Sequence, residues 1–157
     1  MKEILLQLAM AGIGTAGFAL LFHVRLRNLP AALLGGIGAW AAYLLLEHFT
    51  KDPLVSNMGA SFLVCVWAEI MARVMKAPVN VFMITGLIPL VPGAGLYYTM
   101  LALVNQNTAE LTARGSATGI AMLGIAVGIV AESVLFLYIM DWGNTLKKRK
   151  KKKTKHQ

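Results

Sequence analysis

Nineteen consecutive residues, Ile4 to Phe22, carry no charged side chain, and runs of this kind recur down the whole chain. A helix that crosses about 30 Å of hydrocarbon needs roughly 20 apolar residues. His23-Val24-Arg25-Leu26-Arg27-Asn28-Leu29-Pro30 ends the first run, and Pro30 suits the first position of a new helix. The second run, Ala31–Leu46, is closed by Glu47-His48-Phe49-Thr50-Lys51-Asp52-Pro53. Leu54–Ala72 is the third, apolar except for Glu69, and Arg73-Val74-Met75-Lys76 ends it. Val79–Val104 is the fourth, and Gly115–Met140, with the single charge Glu132, is the fifth. The pattern predicts an all-α integral membrane protein of about five transmembrane helices, with spans near 4–22, 31–46, 54–72, 79–104 and 115–140.

Composition agrees. Of 157 residues, 57% are apolar and only 14% are charged, against about 25% charged in soluble domains. A soluble fold of this size lacks the interior to hide so much apolar surface. The net charge of +8 resembles a nucleic-acid signature until it is located. Eight basic residues crowd into the tail, Lys147 to Lys153 and Lys155, and residues 1–146 balance seven bases against seven acids. We therefore expect a neutral transmembrane domain over 1–146 and a disordered polybasic cytoplasmic tail over 147–157. Such a tail contacts anionic lipid headgroups, and nucleic acid is not an expected partner. The long apolar N-terminus, without a small-residue cleavage site, reads as a first span and not as a cleaved signal peptide. The lone Cys65 allows no intramolecular disulfide and no cysteine-based metal site.

Orientation follows from Lys and Arg placement. With five crossings and a cytoplasmic tail, the inside holds Arg25, Arg27, Arg73, Lys76 and the eight tail residues, and the outside holds Lys2, Lys51 and Arg114. The expected topology is N-terminus outside and C-terminus cytoplasmic.

The fourth run is too long for one plain crossing and is interrupted by Pro89-Leu90-Val91-Pro92-Gly93-Ala94-Gly95. Two prolines remove two helix donors, and the glycines permit backbone angles that other residues avoid. A discontinuous helix is expected. Irregular backbone at membrane depth survives only where protein or a watery cavity satisfies it, and transporters use such breaks to hold solutes. The helix start after Gly95 offers a dipole to an anionic carboxylate. Tyr97 and Tyr98 follow at once, and Asn80 and Thr85 precede the break. The alternative is a proline kink kept for packing, with the tyrosines as packing or interface residues.

Two ionisable residues lie inside spans, where their cost marks them as functional candidates. Glu132 follows Gly128 and Gly124 at helical spacing, a smooth stripe that admits a neighbouring backbone or leaves room for a small solute. The competing reading is a tight helix contact whose Glu bonds a neighbour. Glu69 precedes Arg73 by four residues, the favourable order for an intrahelical pair. It suits equally a proton or substrate site and a helix end that reaches the interface. A carboxylate in a dry wall that gains and loses a proton is the physical basis for expecting proton coupling. Asn107 and Glu110 have capping-box spacing, so a short helix is expected to lead into the fifth span. No metal set, cofactor motif or nucleophile–base pair is present in the sequence, and an enzyme is not expected.

Ala68-Glu69-Ile70-Met71-Ala72-Arg73-Val74-Met75-Lys76-Ala77-Pro78 and Gly86-Leu87-Ile88-Pro89-Leu90-Val91-Pro92-Gly93-Ala94-Gly95-Leu96-Tyr97-Tyr98-Thr99-Met100 resemble the threonine/serine exporter family. More narrowly, residues 1–143 look like its second membrane domain, which occurs as a separate small subunit of the YjjB type. The Pro-x-x-Pro-Gly-Ala-Gly block carries the specificity, and the lysine tail lies outside the family pattern. The resemblance implies a multi-pass transporter of the bacterial inner membrane, exporting threonine and serine or small carboxylates such as succinate. It implies a partner, the larger subunit that supplies the first-half domain, in a homo- or hetero-oligomer. Five spans joined to five would give two halves of opposite orientation. Glu69, Arg73, Pro89, Pro92, Gly93 and Gly95 are the positions that match the family pattern.

The expected function is therefore one subunit of a secondary exporter with proton exchange. In that reading the broken span binds the solute carboxylate, while Glu132 and Glu69 handle protons or an ammonium group. The alternative is a non-transporting scaffold that stabilises a partner permease.

Overall fold

The computed structural model describes the backbone of residues 2–154 and side chains through Met140. Its elements are helices α1 (Lys2–Leu21), α2 (Leu29–Thr50), α3 (Pro53–Met75), α4 (Val79–Leu87), a 3-10 turn (Ile88–Leu90), α5 (Gly93–Val104) and α6 (Thr108–Thr154). No strand occurs among the described residues. Four helices are long and apolar enough to cross a membrane, and α4 with the 3-10 turn forms with α5 a pair bent by 56°. The all-helical membrane architecture with a discontinuous fourth span is the one the sequence predicts.

The helix ends differ from the expected boundaries, each for a local reason. α2 continues through Glu47–Thr50, which reads as a loop in the sequence; His48, Phe49 and Thr50 are exposed there, and the Thr50 hydroxyl donates to the Leu46 carbonyl at 2.8 Å within the helix. Leu29, not Pro30, opens α2, and Pro30 occupies its first turn. Asp52 caps α3 by accepting from the Leu54 amide at 2.9 Å, with Pro53 as the first helical residue. Asn107 caps α6: its Oδ1 accepts from the Glu110 amide at 3.2 Å, and its Nδ2 donates to Glu110 Oε2 at 3.4 Å. The capped segment is not a separate short helix, since it runs unbroken into the fifth span. α6 also stays helical through 147–154, part of the stretch expected to be a disordered tail, and 155–157 lie outside the described residues. Each of the turns after α1, α2, α3 and α5 is closed by a left-handed residue, namely His23, Lys51, Lys76 and Gln106, with φ of 55°, 53°, 53° and 56°.

Close approaches between helices give their directions. Gly59 faces Leu46 and Gly35 faces Trp67, so α2 and α3 are antiparallel. Phe82 at the start of α4 packs with Ala68 and Ala72, and Gly86 further on meets Val64, so α4 is antiparallel to α3. Gly95 meets Thr118 and Thr99 meets Gly115, so α5 is antiparallel to α6. Gly124 lies against Leu54, Asn57 and Met58, and Gly128 against Met58, Ser61 and Phe62. Rising numbers on α6 meet rising numbers on α3, so these two helices are parallel. α4 and α5 consequently point the same way, and the bent pair makes one crossing, which brings the crossings to five.

α3 is the hub, in contact with α2, α4 and α6, whereas α5 packs chiefly on α6. Two small-residue cores surround α3. One joins Ala31, Ala32, Ala68 and Ala72 around the fully buried Phe82. The other joins Ala39, Ala60, Val64, Cys65 and Leu90. Alanine suits this bundle: between helices in lipid, close backbone approach and dispersion replace the hydrophobic effect as the cohesive force. Trp67 adds a cross-helix bond, its Nε1 donating to the Ala31 carbonyl at 3.0 Å.

Candidate functional site

The parallel seam of α3 and α6 places the two intramembrane carboxylates together. A Cβ on Gly124 would lie 2.6 Å from the Leu54 carbonyl oxygen, and one on Gly128 would collide with Ser61 Oγ and the Met58 carbonyl. Only hydrogen fits at either position, so the helix backbones touch. One turn beyond Gly128 the same face of α6 presents Glu132, buried at 6% exposure. The seam opens there into a groove of about 220 Å³ between α3 and α6, lined by Val66, Glu69, Ile70 and Arg73 on one side and Glu132, Leu135, Phe136 and Ile139 on the other.

Arg73 is held at this groove from two directions. Its Nε lies 3.8 Å from Glu69 Oε2, and its guanidinium carbon lies 4.6 Å from the centroid of the Phe136 ring on α6. Such cation–π contact adds about 0.5–2 kcal/mol, more as the pair is desolvated. Arg73 remains largely exposed, whereas the Glu69 side chain is mostly covered at 20% exposure, so Arg73 is the freer of the two to turn toward a solute. Glu132 receives no hydrogen bond from a described side chain. The groove thus offers one guanidinium and two carboxylates in an otherwise apolar wall. That set matches a zwitterion, whose carboxylate pairs with the guanidinium while its ammonium group faces a carboxylate.

The remaining sequence candidates lie elsewhere. Thr85 is buried, and its hydroxyl donates to the Val81 carbonyl at 2.7 Å within its own helix. Asn80 is exposed at the start of α4. Tyr97 and Tyr98 are 63% and 45% exposed with rings 5.3 Å apart. Arg114, itself paired to Glu110 at 2.7 Å, sits 4.8 Å from the Tyr98 ring and ties α5 to the start of α6. Gly95 meets α6 at Thr118, fourteen residues before Glu132, about 21 Å along a helix. A single threonine-sized solute cannot touch both.

The break itself is partly core and partly open. Leu90 is 4% exposed within the apolar cluster around Val64 and Cys65. Pro89 lines a separate open cavity of about 350 Å³ with Gln7, Met10 and Trp40. Local bonds satisfy part of the irregular backbone: the Val91 amide donates to Ile88 at 3.2 Å, Gly93 to Val91 at 2.8 Å, and Leu96 to Pro92 at 3.0 Å. Gly93 faces open space.

Phe136 is absent from the sequence-derived candidates. Its signal was available as the residue one turn after Glu132 on the same face of α6, but only the α3–α6 register brings it over Arg73. No group of three His, Cys, Asp or Glu side chains that could hold a metal occurs among the described residues.

The family model described as Threonine/Serine exporter, ThrE, matches residues 7–135. That span includes the glycine seam, both carboxylates, Arg73 and the Pro-Gly break. No solved structure matches the chain. Together with the apolar helices, this makes the protein a multi-pass membrane protein with an exporter-type transport role. The chain belongs to the threonine/serine exporter family.

Proposed function

We propose that the chain is one subunit of a secondary, proton-coupled exporter of threonine, serine or a related small carboxylate. The observation that carries this reading is the groove where Glu69, Arg73 and Glu132 meet between α3 and α6. Arg73 takes the solute carboxylate through its planar fork, and Glu132 faces the solute ammonium. When the solute leaves outward, Glu132 accepts a proton from outside, and it gives that proton up inside when the next solute binds. The carboxylate is thereby never left charged and unpaired in the apolar wall, which would be costly. The Pro-Gly break supplies the flexible joint and not the main polar contacts.

The groove is lined only by α3 and α6 and is open on its outer side. An open charged groove at membrane depth calls for a cover, and a larger exporter-family subunit that supplies the other half of the transporter would provide it. The distribution of twelve basic residues against three favours an N-terminus outside and a cytoplasmic C-terminus in the bacterial inner membrane.

The test is efflux of radiolabelled threonine and succinate from cells lacking their own exporters, with this chain and its larger partner expressed alone and together. The pair should export threonine, and Glu132→Gln should abolish export at unchanged membrane abundance. Undiminished efflux by Glu132→Gln would remove the carboxylate from the mechanism. Full transport by the partner alone would make this chain a scaffold.

A further inference from the structure

A second cavity, sharing no lining residue with the carboxylate groove, lies at the end of the bundle where the α1–α2 turn meets the α3–α4 turn. It has a volume of about 430 Å³ and is lined by His23, Arg25, Arg27, Asn28, Lys76 and Pro78, among others. We propose that this cavity binds the phosphate headgroup of an anionic phospholipid.

Charge is the first argument. Arg25, Arg27 and Lys76 line the cavity and no Asp or Glu does. None of the three has an acidic partner among the described residues, where the ion pairs are Arg73–Glu69 and Arg114–Glu110. The opposite end of the bundle is different: there Arg114 holds Glu110 at 2.7 Å, and Lys51 is followed by Asp52. Three uncompensated cations around one concavity repel one another unless an anion joins them.

Asn28 is the second argument, independent of charge. It lines the cavity at only 7% exposure, and its side chain makes no capping bond at the start of α2 and no other hydrogen bond among the described residues. Its amide therefore stays open to the cavity that it lines. A phosphate oxygen inside the cavity can accept from its Nδ2.

The walls are built to hold position. The Val24 amide donates to Ala19 at 2.9 Å, Asn28 to Arg25 at 2.8 Å, and Ala77 to Ala72 at 3.0 Å. Left-handed His23 and Lys76 close the two turns that form the rim. Apolar groups favour a lipid over a free phosphate. Phe22 and Leu26, 52% and 76% exposed, flank the basic turn, and Met75 and Val81 continue the cavity wall. Acyl chains would lie along these side chains while the headgroup enters. Basic pockets between membrane helices serve anionic headgroups in this way.

The experiment is native mass spectrometry of the full chain in detergent, titrated with phosphatidylglycerol, phosphatidylcholine or inorganic phosphate. Its background is the full-length protein with the eight tail cations replaced by glutamine, so that the tail contributes no binding. Phosphatidylglycerol should remain bound at one site, and Arg25→Gln with Arg27→Gln should weaken it about thirtyfold. Asn28→Ala should weaken it severalfold, while Arg25→Lys with Arg27→Lys should retain it. Equal phosphatidylglycerol occupancy in the double glutamine variant would overturn the proposal. So would displacement by inorganic phosphate at matching concentration, which would mark a site for soluble anions. If the double glutamine variant does not fold, a photoactivatable phosphatidylglycerol on the unaltered protein decides. Crosslinks within Phe22–Asn28 or Lys76–Val81 support the site, and their confinement to other segments overturns it.

Discussion

The seam between α3 and α6 and the break between α4 and α5 are both polar interruptions of an apolar bundle, but they interrupt it differently. The seam keeps its helices intact and lets side chains do the work: backbone contact at Gly124 and Gly128, then Glu132 facing Glu69 and Arg73 across a groove. The break sacrifices helix hydrogen bonds, yet its inward side chain is Leu90 in an apolar cluster and its tyrosines are exposed. On the proposed function, recognition falls to the seam, where backbone geometry is regular, and the joint falls to the break, where it is not. In a transporter the two tasks are better separated, because a site that moves with every bend loses the geometry of its contacts.

Substitutions at four positions press on this division, from the largest effect to the smallest, and one at a fifth position limits it. Glu132→Gln should reduce threonine efflux to background while the protein reaches the membrane at normal levels, and Glu132→Asp should recover part of it. Gly128→Leu should prevent the seam from closing, since even a Cβ there meets Ser61 and the Met58 carbonyl. Overpacking of this kind costs about 1–3 kcal/mol or more, and thermal unfolding in detergent reads the loss. Arg73→Gln should raise the apparent KM about 10- to 100-fold, the value of a charge-assisted bond to a carboxylate. Arg73→Lys should recover only part of it, because an ammonium group lacks the planar fork and the stacking on Phe136. Pro92→Ala should lower the maximal rate a few-fold with KM nearly unchanged, as expected of a joint. A large rise in KM there would place substrate contacts at the break and invert the comparison. Tyr97→Phe should change efflux less than about twofold, since an exposed hydroxyl outside the groove has little to lose.

Much of the architecture is legible in the chain. Charges and prolines punctuate the apolar runs, so the five crossings and the discontinuity at Pro89–Gly95 follow from residue order. Helix ends are less legible, because Glu47 and His48 look like a loop but lie on the last turns of α2. The helical spacing of Gly124, Gly128 and Glu132 shows one face of α6 without saying which helix meets it. That choice depends on Leu54, Met58 and Ser61 accepting a bare backbone, a tertiary fit with no signature in either segment alone. For the same reason Phe136 over Arg73 and the basic cavity at the Arg25 turn become visible only once residues far apart in sequence are brought together. The separation of the break from the carboxylates along α6, with Gly95 at Thr118, is likewise not displayed by residue order.

The partition of contacts around the break has a mechanical consequence. α4 is anchored to α2 and α3, while α5 is anchored chiefly to α6, so the Val91–Pro92 junction joins two arms that reach the α3 hub by different routes. α5 has 12 residues and is therefore a lever about 18 Å long. A swing of about 10° at its pivot would carry the far end, near Asn105, through about 3 Å. That is roughly the width of a water molecule, and α5 can make such a displacement only by sliding on α6 at the Gly95–Thr118 and Thr99–Gly115 contacts.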